Sequence, residues 1–386
     1  MKRFLSILAF VAICVSTAYA QKPIPQTVSL KKQKKATRTE IILPQVQGYN
    51  CYKGDFHVHT TYSDGRMNPA ARIVEAWMDG LDIVAITDHF EHHKGVKNML
   101  NTISMQDSTV IDYKKAKVSH NKIHEEAVEQ IEKSGWPMLL VKGAEVTRDS
   151  QTVGHLNCLF LTDIDAIFDK DPAEALRKAK AQGGIVIHNH PAWRRGTCDK
   201  TEFHQLVYGE GLVDGVEVVN GGTFYPPIVR RCLDEKLALF ANTDEHNLTE
   251  YRFGTQGDYR TMTLILAKEL TEEAVKDAIL NQRTIAFARG FLIGQEMWLK
   301  DFLNAAIDCR ITKDDGEKRT FLVRNNSSVT FHLRRGIVHT LEPFQIMTIS
   351  IGRDKTTGEY AAPVFTIDNM WQEDYKHPKF ELELDM

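Results

Sequence analysis

Residues 50–90 read NCYKGDFHVHTTYSDGRMNPAARIVEAWMDGLDIVAITDHF, and the spacing of apolar residues along this stretch sets the fold class. Asn68-Pro69 opens a helix, the asparagine as cap and the proline at the first helical position. Ile73, Val74, Trp77 and Met78 mark one helical face, and Gly80 closes the segment. Residues 81–87 (LDIVAIT) follow as a buried strand. Ahead of the helix, Asp55-Phe56-His57-Val58-His59 sets two histidines two residues apart, so that on a strand both point to one face.

The alternation repeats along the chain. A helix over 113–134 stops at Gly135, and strand 138–141 leads to Gly143-Ala144-Glu145. Residues 155–161, 185–188, 213–219 and 237–241 read as further strands, with helices over 172–182 and 226–235 and one capped by Thr271 that runs to about Gln282. Strands separated by helices of this length define an α/β fold with a parallel sheet, and about seven such units favour a barrel. Beyond about Gly294 the pattern changes. Segments 308–311, 319–323, 329–333, 344–351 and 380–384 read as strands parted by turn clusters such as Asp314-Asp315-Gly316, with no helix among them. A small all-β domain is expected over residues 295–386.

With 386 residues, 42% of them apolar and 26% charged, the chain can bury a large core. Its 48 basic and 51 acidic residues leave a net charge of −3, which excludes a nucleic-acid surface built on bulk positive charge. Met1-Lys2-Arg3, the apolar run 4–15 and Ala18-Tyr19-Ala20 read as a signal peptide over residues 1–20. Cleavage near Ala20 would give an exported protein, periplasmic or secreted, with no stable membrane insertion. Residues 21–49 form a polar extension carrying Lys31-Lys32-Gln33-Lys34-Lys35. Cys51, Cys158, Cys198, Cys232 and Cys309 include no CxxC pair and read as scattered buried thiols rather than a disulfide framework or a zinc–thiolate site.

In a parallel β/α fold, functional groups collect at the carboxyl ends of strands. The histidines and acids of this chain fall there: His57 and His59 with Ser63-Asp64-Gly65 beyond them, Thr87-Asp88-His89, Glu145, His188-Asn189-His190-Pro191 and Thr243-Asp244-Glu245-His246, while His155 begins a strand. Each piece alone is ordinary, since a single Asp at a strand end is usually a cap or turn former. Five strand ends that all finish in His, Asp or Glu are not explained that way. Carboxylates gathered at one barrel mouth repel one another and lose hydration, and divalent cations remove both costs. Imidazole and carboxylate are their normal ligands.

HVHTTYSDG (57–65), ITDHF (86–90), GAEVT (143–147), GHLNCLF (154–160), HNHP (188–191) and NTDEH (242–246) resemble, in this order, the motifs of the PHP (polymerase and histidinol phosphatase) superfamily. The resemblance covers about residues 50–290 and implies a metal-dependent phosphoesterase on a distorted (β/α)7 barrel, taken as the domain 50–294. It also implies a ligand set: His57, His59, Glu145 and Asp244 on one metal, Glu145 bridging to a second held by His155 and His190, and a third on Asp64, His89 and His246. The family motif sets its ligand directly before proline, which selects His190. His188, two residues earlier, would share its strand face; a buried, hydrogen-bonded histidine is the favoured reading, and proton donation the alternative. His92 and His93 fall near the mouth.

Two or three divalent ions (zinc, manganese or iron) would acidify a bridging water and neutralise phosphoryl oxygens. The expected reaction is in-line attack by a metal-bound hydroxide on the phosphorus of a small phosphate ester. Glu145 and His188 are the catalytic candidates, and Arg194 and Arg195 are the cationic clamp, a guanidinium matching two phosphate oxygens at once. Lys94, Asn220, Tyr225, Asn247 and Arg252 also lie just beyond strand ends. A phosphodiester is favoured, because it carries one charge and because the chain resembles exported phosphodiesterases of the family. The alternative is a phosphomonoesterase. An exonuclease lacks the basic stripe it would need, and no nucleic acid beyond small nucleotides is expected. A non-catalytic metal-dependent binding module would have lost ligands, whereas all nine positions are filled.

Overall fold

The computed structural model describes residues 37–91, 111–112, 117–254, 258–354, 357–373 and 375–384; the signal segment, His92, His93 and Lys94 lie outside these. The main sheet has twelve strands, two of them the two-residue pieces Thr223–Phe224 (beside β6) and Met370–Trp371, and ten longer: β1 (Asn50–Val58), β2 (Ile83–Ile86), β3 (Leu139–Thr147), β4 (His155–Leu159), β5 (Ile185–His188), β6 (Gly215–Asn220), β7 (Ala238–Asn242), β8 (Met262–Ala267), β9 (Thr284–Ala288) and β10 (Phe291–Gly294). Their spatial order is β7-β6-β5-β4-β3-β2-β1-β8-β9-β10, with Met370–Trp371 pairing on β10. The sheet curls until β7 meets β8 and β9. There the seam is closed by side chains: the amides of Leu239 and Ala241 donate to the buried hydroxyls of Thr284 and Thr263, at 3.1 and 2.9 Å.

The expected parallel sheet is only partly parallel. β1/β2/β3 and β5/β6/β7 pair in parallel, but β4 runs antiparallel to both neighbours and β8 antiparallel to β1. The reason for β4 is chain length. Only residues 148–154 separate it from β3, too few for the crossover that a parallel pair requires. As a result β4 starts at the mouth, which is why His155 serves a site that otherwise draws on strand ends.

Phe56, Ile83, Ala85, Val141, Leu159, Ile185, Ile187, Phe240 and Ile265 fill the barrel interior. Val275, Ala278 and Ile279 of the helix Glu272–Leu280 join this cluster, so the helix plugs the end away from the mouth. The expected helix Pro226–Glu235 is found over the same residues, and Asn68 caps Pro69–Met78 through the amide of Ala71. The helix expected from 113 begins instead at His120, capped by Ser119.

Two helices of eight or more residues escaped the sequence reading, as did the single turn Thr249–Arg252. Glu202–Gly209 opens with a capping box in which His204 stands at the position usually held by Glu or Gln. Glu296–Ala306 has no side-chain cap, yet buries Trp298, Leu299, Phe302, Leu303 and Ala306 along one face. The second of these lies inside the segment expected to be all β, which otherwise forms two antiparallel sheets. One is Ile307–Asp314, Lys318–Asn325 and Ile346–Gly352; the other is Ile337–Leu341, Phe331–Arg335, Val364–Ile367 and Lys379–Glu381. A continuous core runs from the outer faces of β8–β10 through the helix into both sheets. Ile41 and Val46, within the stretch read as a polar extension, are buried in the same core.

Candidate metal centre

The mouth is assembled from β1 outward. Between Asp55 and Val58 the pairing of β1 with β2 slips, three steps on β1 matching two on β2. This bulge inserts one residue, so Phe56 points into the barrel and yet His57 and His59, of opposite parity, point inward too. The end of β1 is then tied across the mouth to the turn after β7: the amide of Asp244 donates to His57 O at 2.9 Å, and that of His59 to Glu245 O at 3.1 Å. Buried Arg72 reinforces the tie, donating to the carbonyls of His59 and Glu245.

All nine residues expected as ligands come together. His57, His59 and Asp244 form one group, His57, Glu145 and His190 a second, His89, Glu145 and His155 a third, and His59, Asp64, His89 and His246 a fourth, with ligand atoms in each group within 4.8 Å of one another. Glu145 sits at the centre. Its Oε1 lies 3.2 Å from His155 Nδ1, 3.3 Å from His57 Nε2 and 3.7 Å from His190 Nε2, and its Oε2 contacts His89 Nδ1. Asp244 Oδ1 is 3.2 Å from His57 Nε2 and 3.1 Å from His59 Nε2, and Asp64 Oδ1 is 3.1 Å from His246 Nε2 and 3.4 Å from His89 Nε2. His190 and Asp244 hold φ of +23° and +52°, a region non-glycine residues enter only where surrounding structure enforces it.

Gly65 acts through close approach rather than an unusual φ. A Cβ there would fall 2.5 Å from His59 O and 2.8 Å from Thr60 N, so only glycine lets the loop carry Asp64 against the end of β1. Asp88 does not join the cage. It accepts from the Thr60 amide and from the Ser63 and Thr60 hydroxyls, holding that same loop.

Charge in the cage is balanced between groups. Burial opposes ionisation of Glu145, but His155, His89 and His57 hold it well below the usual carboxylate range. Asp244 is likewise held down, against its burial, by His57, His59 and His190. Burial also works against a charged His89, yet Glu145 and Asp64 raise it to about 10. His59 goes the other way, to about 4, through burial and the neighbouring His246 and His89. The carboxylates are therefore poised as anions, and divalent cations would take over the role of the imidazole protons. Asp64 Oδ1 and His155 Nδ1 are buried without a hydrogen-bond partner of workable geometry, as expected of groups that await a cation. The donor set fits borderline divalent ions.

The sequence reading missed the supporting shell. Glu217 is fully buried and accepts from His57 Nδ1 (2.8 Å), the His190 amide (2.7 Å), Asn220 Nδ2 (2.9 Å) and Asn242 Nδ2 (3.0 Å). It thus sets the His57 ring with Nε2 toward the cage, the usual arrangement behind a ligand histidine. A charged residue inside the strand sequence GVEVVN was the signal available. Asn189 supports Glu145, donating to Oε1 at 2.8 Å.

Two expectations need correction. His188 does not share a face with His190. It lies on the helix-facing side of β5, its Nδ1 2.9 Å from Tyr208 Oη and its ring 4.2 Å from that of His204, while His190 turns inward because the chain leaves the strand with positive φ. Arg195 is not a clamp: its guanidinium donates to the carbonyls of Pro191 and Asp199. Arg194 is exposed and stacks over the Trp193 ring at 4.4 Å, beside His155 and His190. Asn220 reaches Asp244 Oδ2 at 3.3 Å, whereas Arg252 donates to Thr243 O and the Asn247 amide donates to Glu245 Oε1. Tyr225 is buried ahead of the helix Pro226–Glu235.

The curled α/β sheet whose mouth gathers these histidine motifs, followed by a β segment, is similar in fold and motif order to proteins of the PHP superfamily. It is similar over 91% of its length to the whole of a two-domain Bacteroides vulgatus protein described as containing a predicted PHP-like metal-dependent phosphoesterase, at 29% identity and a TM-score of 0.79. PsfC from Pseudomonas syringae aligns at 18% identity over 61% of this chain and 90% of its own, with a TM-score of 0.37. A lesion-specific endonuclease from Pyrococcus furiosus aligns at 14% over 68% and 63%, with a TM-score of 0.38; neither of these two bears on function here. No family profile and no curated protein matches the sequence.

Proposed function

We propose that the chain is a metal-dependent phosphoesterase acting on small phosphodiesters. The observation that carries this is the central position of Glu145 among the rings of His57, His89, His155 and His190, with Asp64 and Asp244 on the flanks. His57, His59, Glu145 and Asp244 would hold one cation, Glu145, His155 and His190 a second, and Asp64, His89 and His246 a third. Such ions offset the charge of a phosphoryl group and acidify a water, and that reaction needs little else from the protein than positioning. The chain's own contribution is to orient the His57 imidazole through Glu217 and the Glu145 carboxylate through Asn189, and to offer Arg194 at the rim. His188, bonded to Tyr208, is left out of the reaction.

The diester is preferred on charge. Of the two arginines after His190, one is spent on its own loop, leaving Arg194 as the clamp, which suits a monoanion better than a dianion. Bis(p-nitrophenyl) phosphate should accordingly be turned over with higher kcat/KM than p-nitrophenyl phosphate. Arg194→Ala should raise KM roughly tenfold with kcat little changed, the loss of one charge-assisted hydrogen bond. A higher kcat/KM on the monoester would reverse the preference, and an unchanged KM would remove Arg194 from the site.

A further inference from the structure

The loop after His190 holds a large aromatic surface in water beside the cage. Trp193 is 40% exposed, its ring centroid 5.1 Å from that of His155 and 5.2 Å from that of His190. An indole left this exposed gains little of the burial energy that usually places tryptophan. The chain nevertheless invests in its placement. Its amide donates to His190 O at 2.9 Å, and Gln151 Nε2 donates to Arg194 O at 2.6 Å. Arg195 donates to Pro191 O and Asp199 O, and Arg194 takes the left-handed region at φ +57°. The loop is therefore fixed before any ligand arrives, with one charged and one flat aromatic group side by side at the mouth.

We propose that Trp193 is the seat for the alcohol group of the substrate, and that the site selects phosphate esters whose alcohol carries a flat aromatic ring on, or one bond from, the ester oxygen. This rests on the phosphoesterase reading. His155 and His190 flank the place where a phosphoryl group would be held, and the indole lies at ring-stacking distance from both, so an ester substituent leaving that place on the loop side meets Trp193 first. Arg194, now over the indole, would swing to a phosphate oxygen as the substrate ring takes its place. Trp193 touches the alcohol and not the reacting atoms, so it is a specificity residue.

The test is calorimetric binding of phenylphosphonate and methylphosphonate to the manganese-loaded full chain, for the wild type, Trp193→Ala and Trp193→Phe. The wild type should bind the phenyl compound more tightly; Trp193→Ala should weaken phenylphosphonate roughly tenfold and leave methylphosphonate unchanged, and Trp193→Phe should retain most of the difference. If Trp193→Ala weakens both ligands equally, the indole only shields the two imidazoles and the seat is disproved. If the wild type binds both equally, there is no ring selection. If neither phosphonate binds while bis(p-nitrophenyl) phosphate is turned over, the seat is disproved; if that diester is not turned over either, the phosphoesterase reading fails and the seat with it, a result distinct from the others.

Discussion

Glu145→Gln should lower kcat/KM on bis(p-nitrophenyl) phosphate by on the order of a thousandfold, about 4 kcal/mol of barrier. The change keeps size and shape and removes one charge. Both carboxylate oxygens are committed: Oε1 accepts from Asn189 Nδ2 at 2.8 Å and faces three imidazoles, and Oε2 accepts from Thr147 Oγ1 at 3.1 Å and contacts His89. A glutamine offers one acceptor and one donor, so whichever way it turns, an NH2 group confronts a donor or a cation. The protein should still fold, because the cage lies at the mouth, away from the apolar interior of Phe56, Ile83 and Phe240. Steady-state kinetics on the purified variant reads the result, and wild-type turnover would show that Glu145 is not the group shared between cations.

The second large effect is structural. Arg260, just ahead of β8, is buried and donates through Nε and Nη2 to Asp55 Oδ2 at 3.0 and 2.7 Å, with Nη1 3.2 Å from Asp79. Asp55, fully buried, also accepts from the amides of His57 and Thr243. This strut joins β1, which carries His57 and leads into His59, to the turn that carries Asp244. Arg260→Leu leaves the Asp55 charge buried without its partner and should cost about 3–5 kcal/mol in urea unfolding. Adding Asp55→Asn to Arg260→Leu should recover part of that loss, because the stranded charge is gone. A loss below about 1 kcal/mol for Arg260→Leu would mean the pair is not what holds β1 in place.

The site was more legible in the sequence than the sheet that carries it. Ligand chemistry is local: His57-Val58-His59, His190-Pro191 and Asp244-Glu245-His246 declare themselves by residue type and position, and the structure gathers all nine residues. What spacing could not give was direction. His57 and His59 face inward only because a bulge reverses the parity of β1, and a bulge depends on pairing with β2. His188 was placed on the face of His190 because simple alternation says so, and the positive φ at His190 breaks it. The antiparallel course of β4 follows from a short connection whose two ends could not be located closely enough to count. Glu217 was hidden by its place within an apolar strand, where a charge usually argues against burial. Arg194 and Arg195 look alike in sequence, and only the carbonyls of Pro191 and Asp199 tell them apart.

The most direct test of a polynuclear centre is metal analysis of the purified full chain by inductively coupled plasma mass spectrometry, before and after dialysis against a chelator. Two or three equivalents of zinc, manganese or iron per chain are expected, together with loss of turnover on removal and its return when the same metal is restored. A chain that carries less than one equivalent, gains none on incubation with these ions, and is equally active with and without chelator would contradict the account.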